Sequence, residues 1–271
     1  MRFPFALLLC AAALAGEVVR IQPDGIVQFE FPELGKTLRG LSKGEAQAPA
    51  LTATYPSDYS AEGRFPLFVY ILGGDGGHGE KVDLGRGIIG PRGYICVTMP
   101  LFKQKWDPAG PARGLMILKD DYTALSEGYR KMLEKLYAVV PNIDRGRSVF
   151  GGHSNGAHAT GVLLAGRDGY LLENFRDFYL HEGGAHLLNA EAVEALAKGK
   201  KRLLLMFGDK PFGGNPPRQN PMLGLGAKME KEAAALGLDF TFVTMKGYGH
   251  EQPMEYMTRI GAWARGEAVG R

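Results

Sequence analysis

The chain has 271 residues, of which 45% are hydrophobic and 23% are charged, and its formal net charge is +3. This length suits one α/β domain with a large core, and the composition is ordinary for a globular protein. The small net charge and the lack of any block of like charges argue against a nucleic-acid-binding protein.

The first residues have the pattern of a secretory signal peptide. Arg2 supplies a positive start, residues 3–14 are apolar except for Pro4, and Ala13-Leu14-Ala15 matches a small-x-small cleavage site. The run is too short for a stable bilayer-spanning helix, although an uncleaved anchor remains the alternative. We predict removal of residues 1–15, a single domain over 16–271 without a membrane span, and a secreted or periplasmic location.

The two cysteines do not predict a disulfide. Cys10 lies within the predicted signal peptide, and Cys96 lies in the apolar run 94–97. Cys96 therefore reads as a small buried hydrophobic residue, and the stability of the mature chain must come from its core.

The hydrophobic pattern along the chain predicts strands that alternate with helices. Predicted strands cover residues 27–31, 51–55, 66–72, 94–99, 178–180, 203–207 and 240–245. Predicted helices cover residues 119–140, 191–198, 222–236 and 254–264. This order predicts an α/β fold with a central, mostly parallel sheet and helices on both faces. The long irregular stretch 101–118 is a candidate binding loop.

The most informative motif is Gly-x-Ser-x-Gly at Gly152, Ser154 and Gly156. The strand-forming pair Val149-Phe150 precedes it, and a small-residue helical run over 157–165 follows it. A strand, a sharp glycine-flanked turn and a helix in this order form a nucleophile elbow, which makes the Ser154 hydroxyl the candidate nucleophile. The alternative is an ordinary glycine-rich turn with an exposed serine.

A serine nucleophile needs a base and a group that orients the base. His250 follows the predicted strand 240–245, and Asp209 follows the predicted strand 203–207. The order serine, acid, histidine is the one expected after such an elbow, so we assign His250 as the base and Asp209 as the acid. Glu182 also follows a predicted strand and is the rival acid.

The developing negative charge of an acyl-transfer reaction needs two hydrogen-bond donors. The backbone N–H of Asn155, directly after the nucleophile, is one candidate. The other is the N–H of Gly74 or Asp75 in the glycine-rich loop after strand 66–72. A phosphate-binding loop is the alternative, but the Gly-Lys-Ser/Thr ending of a nucleotide loop is missing.

We predict no metal and no cofactor, although the stretch from His181 to His186 superficially resembles a zinc motif. The second histidine is one residue too far along, and the intervening glycines disfavour a helix. The substrate is expected between loops 101–118 and 210–222. Candidate substrate contacts are Phe102, Trp106, Phe212, Met222, His153 and Glu182, and local packing is an equal alternative for the first four.

Three segments carry a family resemblance. They are Tyr55-Pro56-Ser57-Asp58-Tyr59, residues 65–74 and residues 142–156. They resemble secreted esterases of the α/β-hydrolase superfamily, in particular polyhydroxybutyrate-depolymerase-like and feruloyl-esterase-like members. The resemblance implies a serine hydrolase that cleaves small-molecule or polymer-linked carboxylic esters through an acyl-enzyme. A peptidase of the same fold and a non-catalytic binding protein on this scaffold are the alternatives.

Overall fold

A computed structural model describes residues 21–37, 39–40, 48–80, 83–103, 116–211 and 220–270. Its strands are β1 (Ile26–Glu30), β2 (Arg39–Gly40), β3 (Ala50–Thr54), β4 (Leu67–Ile71), β5 (Ile95–Thr98), β6 (Phe102–Lys103), β7 (Val149–His153), β8 (Asp177–His181), β9 (Arg202–Gly208) and β10 (Asp239–Met245). Its α-helices are α1 (Pro32–Thr37), α2 (Asp83–Ile89), α3 (Tyr122–Val139), α4 (Asn155–Ala165), α5 (Gly169–Asn174), α6 (Ala190–Lys198), α7 (Pro221–Leu236) and α8 (Met254–Ala264). The predicted signal peptide, Trp106 and Phe212 lie outside the described residues.

Eight strands form one sheet in the order β1-β3-β5-β4-β7-β8-β9-β10. Strand β3 pairs antiparallel with both β1 and β5, and every pairing from β5 to β10 is parallel. The predicted mostly parallel sheet is thereby confirmed. Strands β2 and β6 form a separate antiparallel pair.

The sheet is covered on both faces, as predicted. Alternate residues of β4 enter different cores: Leu67, Val69 and Ile71 pack with residues of α3 and α4, whereas Phe68 and Tyr70 pack with residues of α2 and α8. Because both faces are covered, β4 and residues 203–207 of β9 are continuous apolar runs rather than alternating ones.

The structure contains helices α1, α2 and α5 and the short strand β2, which the sequence pattern did not predict, and it differs from the prediction in two further stretches. The helix predicted over 119–140 begins with a 3₁₀ turn at Lys119–Asp121 before α3 starts at Tyr122. The candidate loop 101–118 contains β6, and the Phe102 side chain is fully buried against Tyr129, with ring centroids 5.9 Å apart. Phe102 is thus a core residue and not a substrate contact. Met222 is partly buried and packs against the same core.

No helix within the described ranges is both long enough and apolar enough to cross a bilayer.

Candidate active site

Ser154 sits in a sharp turn between β7 and α4. Its backbone has φ 53° and ψ −116°, a conformation that L-residues rarely adopt. The turn is held by the Ser154 N–H, which donates to the His181 carbonyl at 2.8 Å, and by the His158 N–H, which donates to the Ser154 carbonyl at 2.9 Å. The predicted strand–turn–helix arrangement around Ser154 is present.

The two glycines of the motif allow this turn to touch the end of β4. A Cβ atom on Gly156 would lie 2.2 Å from the Ile71 carbonyl oxygen, and one on Gly152 would lie 2.6 Å from the same atom. Real Cβ contacts are never so short, so larger residues would push the elbow away from the sheet. Close backbone approach, rather than a positive φ, explains glycine at these two positions.

His250 lies in the loop after β10 and reaches Ser154. Its Nε2 is 2.7 Å from Ser154 Oγ, and the His250 side chain is 29% exposed. The loop packs on the end of β9, where a Cβ on Gly208 would lie 2.3 Å from the Tyr248 carbonyl oxygen. The sheet therefore brings the ends of β7 and β10 to one edge and places a potential base on the hydroxyl.

The carboxylate beside His250 is that of Glu182. Glu182 Oε2 lies 3.4 Å from His250 Nδ1, and Glu182 Oε1 accepts a hydrogen bond from the Gly208 N–H. The Glu182 side chain is only 5% exposed. Its backbone has φ 54° directly after β8, and this left-handed bend turns the side chain across the ends of the strands.

Asp209, the acid assigned from the sequence, has a different partner. Its Oδ1 accepts the Gly247 N–H at 2.8 Å, and its own N–H donates to the Met245 carbonyl at 3.1 Å. Because its backbone continues the ladder from β9 to β10, the Asp209 carboxylate closes the turn that precedes His250. Of the two candidate acids, Glu182 is therefore the one whose carboxylate lies beside His250 Nδ1, whereas Asp209 binds the Gly247 N–H.

The glycine-rich loop after β4 lies against the nucleophile. A Cβ on Gly73 would be 3.0 Å from Ser154 Cβ, and Gly74 has φ 62°. The Asp75 carboxylate turns back on its own loop, where Oδ1 accepts the Gly77 N–H at 3.2 Å. Asn155 is the first residue of α4, at the end of the helix that favours negative charge.

His153 lies behind the site. It is 6% exposed, its Nδ1 is 3.1 Å from His181 Nδ1, and its ring centroid is 5.0 Å from that of His250. Burial, with a smaller contribution from His250, lowers the pKa of His153 to about 3. Burial likewise holds the pKa of the fully buried His181 well below its usual range. His153 therefore packs with a neutral partner, His181, which no local sequence signal identifies.

The zinc-like stretch does not bring its histidines together. His181 belongs to β8, whereas His186 lies in the 3₁₀ turn Ala185–Leu187 with its ring 5.1 Å from that of His158. In the part of the chain that the structure describes, no three histidine, cysteine or acidic side chains form a group that could hold a metal ion.

Comparisons with known proteins identify the fold. No protein-family model and no curated protein matches the sequence. Among solved structures, an esterase from the fungus Rhizomucor miehei superposes with a TM-score of 0.54 at 13% identity, over 91% of this chain and 85% of the esterase. An acylaminoacyl peptidase from Pyrococcus horikoshii superposes with a TM-score of 0.55 at 13% identity, over 90% of this chain but only 41% of the peptidase. The esterase Est22 gives a TM-score of 0.50 at 15% identity, over 89% of this chain and 80% of Est22. The chain has the α/β-hydrolase fold.

Proposed function

We propose that this protein is a serine hydrolase that cleaves carboxylic esters through an acyl-enzyme intermediate. The observation that carries the proposal is the continuous contact from Ser154 Oγ to His250 Nε2 at 2.7 Å and from His250 Nδ1 to Glu182 at 3.4 Å. A strained serine, a histidine within hydrogen-bond distance and a buried carboxylate are the components that activate a hydroxyl nucleophile.

The first half of the reaction forms the acyl-enzyme. His250 Nε2 takes the proton from Ser154 Oγ as that oxygen attacks the carbonyl carbon of the ester. The tetrahedral intermediate collapses, the bond to the alcohol oxygen breaks, and the imidazolium gives its proton to the departing alcohol. Glu182 holds the remaining proton on Nδ1 and stabilises the imidazolium.

Hydrolysis of the acyl-enzyme completes the cycle. Water attacks the acyl carbon while His250 Nε2 takes its proton, and collapse of the second tetrahedral intermediate releases the carboxylic acid. The proton returns to Ser154 Oγ, so the enzyme is regenerated without any net change.

Two backbone N–H groups are proposed to bind the oxyanion. One belongs to Asn155. For the second we favour Gly74 over Asp75, because the Gly73 carbonyl accepts the Gly76 N–H at 3.0 Å inside the loop turn. In a trans peptide the N–H points opposite to the preceding carbonyl, so the Gly74 N–H faces away from that turn. Removal of such a donor costs about 3–4 kcal/mol of transition-state stabilisation in comparable enzymes.

Ester chemistry is favoured over peptide cleavage as the substrate class. Both esterases named above match over most of their own length, whereas the peptidase matches over less than half of its length. The resemblance of residues 142–156 to feruloyl-esterase-like and depolymerase-like sequences supports the same choice, and the N-terminal pattern supports export.

A substrate panel tests the proposal. Wild-type protein is expected to hydrolyse p-nitrophenyl esters faster than peptide p-nitroanilides, and acetyl, feruloyl and short polyester substrates would then define the acyl group. Ser154→Ala should lower turnover by about 10⁴-fold or more while circular dichroism shows a folded protein. Turnover that persists in folded Ser154→Ala protein would contradict the mechanism.

A further inference from the structure

The Asn155 side chain makes two hydrogen bonds that the catalytic cycle above does not use. Its Nδ2 donates to the Gly74 carbonyl at 2.8 Å, and its Oδ1 accepts the Ile117 N–H at 2.7 Å. Asn155 is 6% exposed, and both partners are backbone groups that are distant in sequence. One carboxamide therefore joins the loop after β4 to the segment that precedes α3.

On the first side, the bond holds a glycine-rich loop. Residues 73, 74, 76 and 77 are all glycine, and three of them have positive φ. A Cβ on Gly74 would meet nothing within 4 Å, so side-chain packing does not fix this residue. The Asn155 bond to its carbonyl restrains the Gly74 backbone, whose N–H is the proposed oxyanion donor.

On the second side, the segment 116–118 is fixed at three consecutive residues. Lys103 Nζ donates to the Met116 carbonyl, the Ile117 N–H donates to Asn155, and the Leu118 N–H donates to Asp121 Oδ2 at 2.9 Å. Lys103 and Asp121 form a buried ion pair at 3.1 Å, with side chains 7% and 5% exposed.

The segment 116–118 is also packed into the core through one side chain. The Ile117 side chain is fully buried, while the flanking Met116 and Leu118 are 50% and 53% exposed. The backbone of segment 116–118 is bonded to the buried Lys103 and Asp121, so it holds the Asn155 carboxamide in a fixed position. The Asn155 carboxamide in turn restrains the glycine loop.

We propose that Asn155 has a second role through its side chain: it is a positioning residue that ties the oxyanion loop to the anchored segment 116–118. This inference rests on the proposed function, because the donor that it positions matters only if Ser154 attacks a carbonyl. The Asn155 backbone N–H is a separate group and is retained in Asn155→Ala and Asn155→Asp.

The kinetic test compares Asn155→Ala with a matched control, Asn142→Ala. Asn142 also joins distant segments, since its Nδ2 donates to the Ser60 and Gly63 carbonyls at 3.1 and 2.8 Å, but it lies next to Phe65 at the other end of β4. Asn155→Ala should lower kcat for a p-nitrophenyl ester about 10–100-fold with KM nearly unchanged, because a small misplacement of a donor acts on the transition state. Asn142→Ala should leave kcat unchanged.

Amide hydrogen exchange tests the two Asn155 hydrogen bonds, to Gly74 and to Ile117, without relying on activity. Asn155→Ala should speed exchange in peptides covering both 73–77 and 116–118. Asn155→Asp keeps an oxygen acceptor for the Ile117 N–H but places a carboxylate oxygen against the Gly74 carbonyl, so only the 73–77 peptide should exchange faster. This second variant also serves if Asn155→Ala does not fold.

The outcomes separate this inference from the proposed function. Ester turnover by the wild type with unchanged kcat in both Asn155 variants would overturn the positioning role alone. An equal loss of kcat in Asn142→Ala would also overturn it, since the effect would then be one of general stability. A wild type without ester turnover would overturn the proposed function and this role with it.

Discussion

Glu182 and Asp209 each directly follow a strand of the parallel part of the sheet, but their different backbone conformations point the two carboxylates at different partners. Glu182 turns at φ 54° and reaches His250 Nδ1, whereas Asp209 stays in the ladder and accepts the Gly247 N–H. We propose that the first carboxylate stabilises a charged imidazole. The second stabilises the turn that carries the histidine.

Paired substitutions separate these two roles. Glu182→Gln should lower kcat by about 10²–10⁴-fold, because the imidazolium loses its counter-charge and the imidazole its orientation. Asp209→Asn keeps an oxygen for the Gly247 N–H and should remain close to wild type. The measurement is kcat and KM on one p-nitrophenyl ester. The reverse order of effects would return the acid role to Asp209.

The sequence could identify Ser154 and His250 as candidates because their signals are local: a glycine-flanked turn and a histidine after the last strand. It could not choose between the two acids, because both lie at strand ends and the choice depends on a single backbone bend at Glu182. The His153–His181 contact was also hidden, since it joins neighbouring strands β7 and β8 across 28 residues of sequence.

Among the elements, the elbow is held by contact between α4 and the end of β4. Gly156 and Gly152 both approach the Ile71 carbonyl more closely than a side chain allows. The hydrophobic pattern predicted the strands of the large sheet and the longer helices, but not the short elements α1, α2, α5 and β2. It missed the packing of Phe102, because the pairing of β6 with β2 and the contact with Tyr129 are not local in sequence.

Alanine substitutions at two glycines test the elbow contact. Gly156→Ala should lower the free energy of unfolding by about 2–4 kcal/mol, because the added methyl group must displace either β4 or α4. Gly169→Ala is the matched control: it also lies in a helix, and a Cβ there would meet nothing within 4 Å. Urea denaturation measures both. Equal effects at the two sites would show that the close approach to Ile71 does not matter.

The two cores enclose the sheet, and three histidines are shielded from solvent near its carboxyl end: His153 at the end of β7, His181 at the end of β8 and the half-buried His158 in α4. Burial lowers the pKa of His153 to about 3 and that of His158 to about 4, and it also lowers the pKa of His181. In the unfolded chain these groups should titrate near 6.5. Below that pH the unfolded state binds more protons than the folded state, so acid favours unfolding.

Because the unfolded state binds more protons in acid, the free energy of unfolding should depend on pH. The stabilisation should be fully present above about pH 6.5 and should fall as the pH drops toward 4, by about 1.4 kcal/mol per pH unit for each buried histidine. His181→Gln removes one titrating group but keeps polar atoms for His153. Unfolding of this variant should take up about one proton fewer, so its free energy of unfolding should fall less steeply as the pH drops. Urea denaturation between pH 4 and pH 8 measures both slopes. If the free energy of unfolding had the same pH dependence in the wild type and in His181→Gln, His181 would not contribute to the loss of stability in acid.

Covalent labelling of Ser154 tests the central claim most directly. The wild type is treated with a fluorophosphonate, digested and analysed by mass spectrometry, with Ser154→Ala and His250→Ala treated in parallel. We expect one adduct on the peptide that contains Ser154, no adduct in Ser154→Ala, and much slower labelling in His250→Ala. A folded wild type in which Ser154 stays unlabelled would contradict the account.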